Sequence, residues 1–225
     1  MFKKWLEIFK KDTLLDRAFR RSYEMLDLTR IMFIKSRESL RKLEDGQIDI
    51  DIRDKDIEVN KYEREVRRDV FNHLAVRGTS TLSSGLALIS IIIDIERIGD
   101  YAKNMVELAL THPGKLSGGK FEDEIRKIGD DVAEQFKMTK HCLEYNDPDK
   151  AKAQLKKYFY INKACDRLVT SLVREEDSHI GAGDAVALVL YVRWLKRINS
   201  HLRNITTSIV NPFDRIGFEP KNETD

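Results

Sequence analysis

Cysteine is nearly missing from this sequence: the 225 residues hold only Cys142 and Cys165, which form no CxxC pair. They read as ordinary reduced residues of a cytosolic protein. Excess charge of one sign is also missing. The net charge of +2 demands no nucleic-acid partner. No apolar run is long enough to span a bilayer. The most apolar, Leu86 to Ile95, is broken by Asp94 and reaches about half of the ~20 residues a span needs. Met1 to Lys11 alternates apolar and basic residues, so no signal peptide is expected. The chain contains no GxxxxGK[ST] phosphate loop, no GxSxG elbow and no HxH or HExxH. Nucleophilic catalysis is therefore not expected, and the chain does not read as an enzyme.

Apolar residues (41%) and charged residues (35%) dominate what remains. That combination suits long amphipathic helices, each with one apolar stripe and a wide solvated face. The four prolines, Pro113, Pro148, Pro212 and Pro220, fall where an apolar period breaks. The pattern predicts a first long helix from Thr13, with Asp16 completing a capping box, to near Gly46. A second runs from about Asp51 to Val76 with Gly78 as its cap, and a third from about Ser80 to His112. A fourth covers Phe121 to Tyr145. A fifth starts at Asp147-Pro148 and ends near Glu176. A sixth is capped by Asp184 and stopped by Asn211-Pro212. No strand pattern is present.

The two halves match. Glu96-Arg-Ile-Gly-Asp-Tyr-Ala-Lys-Asn104 recurs as Lys196-Arg-Ile-Asn-Ser-His-Leu-Arg-Asn204, and Val59 to Tyr62 aligns loosely with Cys165 to Leu168. The expected fold is all-α, with two tandem three-helix repeats. Rods of about 30 residues, about 45 Å long, pack best side by side as bundles. The organisation expected is a short amphipathic helix over 1–11, a first repeat over 12–114 and a linker at 115–120. A second repeat over 121–212 and a flexible tail over 213–225 complete it. The N-terminal segment, with Phe2, Trp5, Leu6 and Phe9 on one side among lysines, suits an anionic membrane surface, a transporter, its own bundle or a second copy of the chain.

One stripe of the third helix runs Leu82, Leu86, Ile89, Ile93, Glu96, Asp100, turning from apolar to acidic, and Glu107 extends it. The second helix sets Asp56, Asn60 and Glu63 on one face. Shielded carboxylates need a cation, and oxygen donors suit magnesium, manganese or iron. The competing reading is a solvent-facing helix end, or one neutralised by Arg97 and Lys103. The matching stripe of the sixth helix is basic: Arg193, Lys196 and Arg203 suit an anion, or equally ion pairs with Asp166 or Glu175. The run Glu63 to Asp69 reads as a solvated face. Gly99 marks either a close helix approach or a tolerated glycine. Glu176-x-x-His179 is the single E-x-x-H, whereas a di-iron bundle needs two.

Glu96-Arg-Ile-Gly-Asp-Tyr-Ala-Lys-Asn-Met-Val-Glu-Leu108, late in the third helix, resembles the signature of the PhoU family. The resemblance covers roughly Thr13 to Val210 and includes the two three-helix repeats. The family's acidic pairs fall on Asp56-x-x-x-Asn60 and Glu96-x-x-x-Asp100. In the second repeat they fall on Asn162-x-x-x-Asp166 and Lys196-x-x-x-Ser200, which keep one acid in four. The resemblance implies a regulator of phosphate uptake and phosphate signalling, beside a membrane phosphate transporter and its sensor kinase. It implies a cytoplasmic place, at the inner face of the membrane, and multinuclear metal sites in some members. Here any metal is expected only on the first repeat, at Asp56, Glu96 and Asp100 with Asn60 and Glu63. Two other readings stay open: a carboxylate-bridged metal oxidase and a metal-free adaptor. A homodimer is open as well.

Overall fold

The computed structural model describes residues 13–43 and 48–220. The expected helix over 1–11 and the turn at Gly46 lie outside the described residues. Of the described residues 84% are helical, and no strand occurs among them. Seven helices follow in order: α1 (Leu14–Lys42), α2 (Ile52–Arg77), α3 (Leu82–Thr111), α4 (Glu122–Tyr145), α5 (Pro148–Lys157), α6 (Tyr160–Val173) and α7 (Ala182–Val210).

Local chemistry sets several of the ends. The Thr13 hydroxyl accepts from the Asp16 amide at 3.2 Å, and the Asp16 carboxylate accepts from the Thr13 amide at 2.9 Å. This is a reciprocal capping box. Asp51 caps α2 by accepting from Arg53 and Asp54 at 2.9 and 3.1 Å. Gly78 closes α2 at φ 68°, a conformation that costs any residue with a Cβ. Asp147 caps α5, with Pro148 in the first turn. The sixth predicted helix starts earlier than expected. Gly181 is its N-cap, and Asp184 sits in the first turn, where its carboxylate meets His112 Nε2 at 2.9 Å.

The expected fifth helix is two helices. Arg203 on α7 donates to the carbonyl of Leu155 at 2.7 Å. That carbonyl is the one a continuing helix would offer to the Phe159 amide. Phe159 turns instead to the Lys156 carbonyl at 3.4 Å, and α5 ends. The tail is also more ordered than expected along its described length. The Asn211 amide donates to the Arg215 and Phe218 carbonyls at 2.9 and 2.8 Å, and the Gly217 amide donates to the Thr207 hydroxyl at 2.7 Å. Residues 213–219 therefore fold back on the end of α7.

Helices α1, α2 and α3 form one bundle, and α4, α5, α6 and α7 the other. The bundles are joined through α1 against α4 and α3 against α7. One core runs through both, including Phe33 stacked on Phe136 with ring centroids 5.5 Å apart. The linker is pinned: Leu116 is buried and its amide donates to the Leu40 carbonyl at 2.9 Å. The chain's most apolar stretch, in α3, is long and apolar enough by composition to cross a membrane. Here that helix packs on α1, α2 and α7.

Candidate functional site

The acidic face is assembled by two helices of the first bundle. Successive turns place Asp56 and Glu63 on α2, and Glu96 and Asp100 one turn apart on α3. Their side chains are only 15–30% exposed: Glu63 15%, Asp56 17%, Glu96 18% and Asp100 30%. Cations hold them. Lys103 Nζ lies 3.0 Å from Asp56 and 3.5 Å from Asp100, so one ammonium bridges α2 and α3. Arg97 lies 3.7 Å from Glu96 and 3.5 Å from Asp100, and Arg67 lies 2.8 Å from Glu63. Neutralisation by Arg97 and Lys103, one of the two readings of the sequence, describes these contacts. Asn60 is half-buried on the same helix.

The electrostatics carry the cost of the assembly. Burial pushes the Glu96 carboxyl above the usual carboxylate range; Asp100, Glu63 and Asp56 push the same way, against Arg97. Burial would lower the Lys103 ammonium, but Asp56 and Asp100 more than reverse this and hold it charged. Among the described residues, no three His, Cys, Asp or Glu side chains converge on a point where an ion would sit. Carboxylate oxygens are donors that suit a hard cation; in this structure the Lys103 ammonium is the charge between Asp56 and Asp100.

The acidic stripe is not the continuation of a buried seam. Ile91, Ile92, Ile95, Ile98 and Ala102 face the core, while Leu82 and Ile93 are 41% and 39% exposed. The stripe that turns acidic at Glu96 is thus the half-solvated margin of α3. Gly99 does not mark a clash-limited approach. A Cβ there would meet Val59 Cγ1 at an ordinary 3.4 Å, whereas one at Gly85 would lie 3.1 Å from both Val70 and Leu74.

The same positions in the second repeat are closed on themselves. Lys196 grips both oxygens of Asp166 at 2.6 and 2.7 Å, and the Asn162 amide donates to the Ser200 hydroxyl at 3.2 Å. Of the three basic residues proposed from sequence, Lys196 is used in this pair and Arg193 is exposed on α7. Arg203 is buried and bonded to Leu155 and Glu219. Glu176 and His179 lie in the loop after α6, so the single E-x-x-H is not on a helix.

Sequence reading missed three polar joints. Asp69, expected on a solvated face, is 3% exposed and lies 2.8 Å from Arg17 and 2.6 Å from Arg21. Asp94 accepts from His201 at 2.6 Å and Asn204 at 3.2 Å, joining the repeats. Gln154 is fully buried and donates to Thr139 and Thr206 at 2.6 and 3.1 Å. Only Asp94 had a signal, as the charge inside the most apolar run.

Comparison with known proteins points one way. Residues 23–109 match the PhoU domain. A phosphate-specific transport system accessory protein PhoU homolog of Synechocystis is 21% identical over 211 residues, covering 90% of this chain and 84% of that one. The homolog of Pseudomonas putida is 27% identical over 166 residues, covering 71% of this chain and 63% of its own length. The crystal structure of PhoU from Pseudomonas aeruginosa superposes with a TM-score of 0.73 at 23% identity, covering 88% of this chain and 95% of that one. That of the phosphate transport system regulatory protein PhoU from Streptococcus pneumoniae gives 0.72 at 15%, covering 87% and 93%.

Proposed function

We propose that this chain, whose residues 23–109 match the PhoU domain, regulates phosphate uptake and homeostasis by docking, as a non-catalytic protein, on a membrane phosphate transporter, its sensor kinase, or both. It acts in the cytoplasm, at the inner face of the membrane. The observation that carries this reading is the α3 margin. There, exposed Leu82 and Ile93 run into shielded Glu96 and Asp100 on one stripe. An apolar strip ending in carboxylates suits a partner surface that is apolar and basic.

The first repeat is also where a divalent cation, iron, manganese or magnesium, would bind. Asp56, Glu96 and Asp100 would hold it with Asn60 and Glu63, in exchange for the Lys103 ammonium. It would supply a positive charge between α2 and α3. The oxidase reading loses its helical support with Glu176 and His179 in a loop.

The docking surface is tested by capture from membranes of cells grown in high and low phosphate. Wild type should retain the transporter or kinase in a phosphate-dependent way. Leu82→Lys with Ile93→Lys should cut capture at least tenfold while the far-ultraviolet spectrum stays helical. Undiminished capture by that variant would move the docking surface off α3.

A further inference from the structure

A cleft of about 320 Å³ opens where the α5–α6 joint, α7 and the returning tail meet. Its walls include Phe159, Asn162, Lys163, Arg203, Asn204 and Glu219. We propose that this cleft is a binding site for a phosphate-type oxyanion, on Arg203 and Lys163, and that Glu219 of the tail occupies it as a tethered competitor.

Arg203 is a charged side chain held almost entirely out of water, at 9% exposure. One arm of its guanidinium is spent on the Leu155 carbonyl, which fixes the group's plane. The other arm points into the cleft and is bonded to the Glu219 carboxylate. The protein itself thus places an oxyanion on this arginine. Lys163 is exposed, and among the described residues no carboxylate pairs with it. Arg203 Cζ and Lys163 Nζ lie 5.3 and 5.5 Å from the centroid of the Phe159 ring. Two cations gathered on one aromatic ring, with one carboxylate, Glu219, paired to Arg203, leave a local excess of positive charge.

The competitor is weakly held. The Glu219 side chain is 62% exposed, and an ion pair with one partner so exposed is typically worth about 1 kcal/mol or less. The segment bearing it is anchored through Asn211 and Thr207, and through the Glu219 backbone carbonyl on Arg215, rather than by the Glu219 side chain. Glu219 can therefore leave Arg203 while the turn stays folded. Phe159 and Phe218 make part of the wall apolar, and its amide side chains are occupied: Asn162 bonds Ser200, and Asn204 bonds Asp94 at 3.2 Å. The anion would accordingly be read by the two cations. The cleft is larger than a bare oxyanion, so the group bound can be a free ion or the phosphate of a larger molecule such as a lipid headgroup. Phosphate chemistry is common to both.

The test uses the full chain in three forms: wild type, Glu219→Gln, and Glu219→Gln with Lys163→Gln. Arg203 is kept because it also shapes the α5–α6 joint. Binding of inorganic phosphate is read by equilibrium dialysis, and binding to phosphatidylglycerol vesicles by sedimentation. Glu219→Gln should tighten one of the two by roughly fivefold, the removal of a competing surface ion pair. Adding Lys163→Gln should reverse the gain. Tightening for inorganic phosphate identifies the free ion as ligand; tightening only for vesicles identifies the headgroup. Equal affinities in all three proteins, tightening that survives the loss of Lys163, or no binding to either probe overturns the proposal. Capture of a transporter is a separate readout, so failure of one reading leaves the other standing.

Discussion

At the scale of single residues, the acidic face is a site under tension. The raised Glu96 carboxyl means that ionising it is harder in the folded chain than in the unfolded one. Such a group costs stability at neutral pH, and a cation placed among its neighbours relieves the cost. Protein prepared without chelator and given manganese should therefore melt higher, by RT ln(1 + [L]/Kd), about 2.7 kcal/mol at a hundredfold excess over Kd. Asp100→Ala should abolish both the shift and the retained metal, and Ser200→Ala should change neither. Equal metal content in wild type and Asp100→Ala would leave Lys103, Arg97 and Arg67 as the cations that hold these acids, and the chain as a metal-free adaptor. The acids themselves were legible, because spacing along a helix fixes a shared face. The ammonium that bridges them was legible only as a nearby charge, since Lys103 reaches Asp56 across 47 positions of chain.

Among elements, the joint of α1 and α2 sets the acid limit. Burial alone would raise the Asp69 carboxyl, but Arg17 and Arg21 hold it below the usual value. A depressed carboxylate contributes stability that is fully present above its unfolded pKa of about 3.9 and is lost as pH falls through the folded value. His73, buried against Thr81, is lowered from 6.5 by burial and by Arg77. The unfolded chain thus takes up its proton first, and stability starts to fall as pH drops below about 6.5. Denaturant titrations should show two acid limbs. Asp69→Asn should remove the one below about pH 4 and cost about 1–3 kcal/mol at pH 7. An unchanged acid limb in that variant would show that another group sets it. Element ends set by neighbours in sequence, such as Thr13, Asp51, Gly78 and Asp147, could be read directly. The α5–α6 break could not, because the arginine that takes the Leu155 carbonyl comes from 48 residues away. The α7 start was misread for a related reason: Asp184, a good capping residue, is drawn to His112, 72 positions distant.

For the whole molecule, the duplication was legible as two helical halves, but neither the seventh helix nor the joint between the halves was. The continuous core, the Phe33–Phe136 stack and the pinned linker make the two repeats one cooperative body. Calorimetry should show a single transition. Phe136→Ala should cost about 3–5 kcal/mol and lower hydrogen-exchange protection in both repeats. Two resolved transitions would mean that the repeats fold apart. Within that body the halves are not equivalent. The second repeat has spent its motif positions on Lys196–Asp166 and Asn162–Ser200, so only the first presents the acidic α3 margin. On the proposed docking surface the valency of the chain is therefore one. A partner with a two-fold axis would be saturated by two chains, each in the same orientation, and a titration against it would end at two to one.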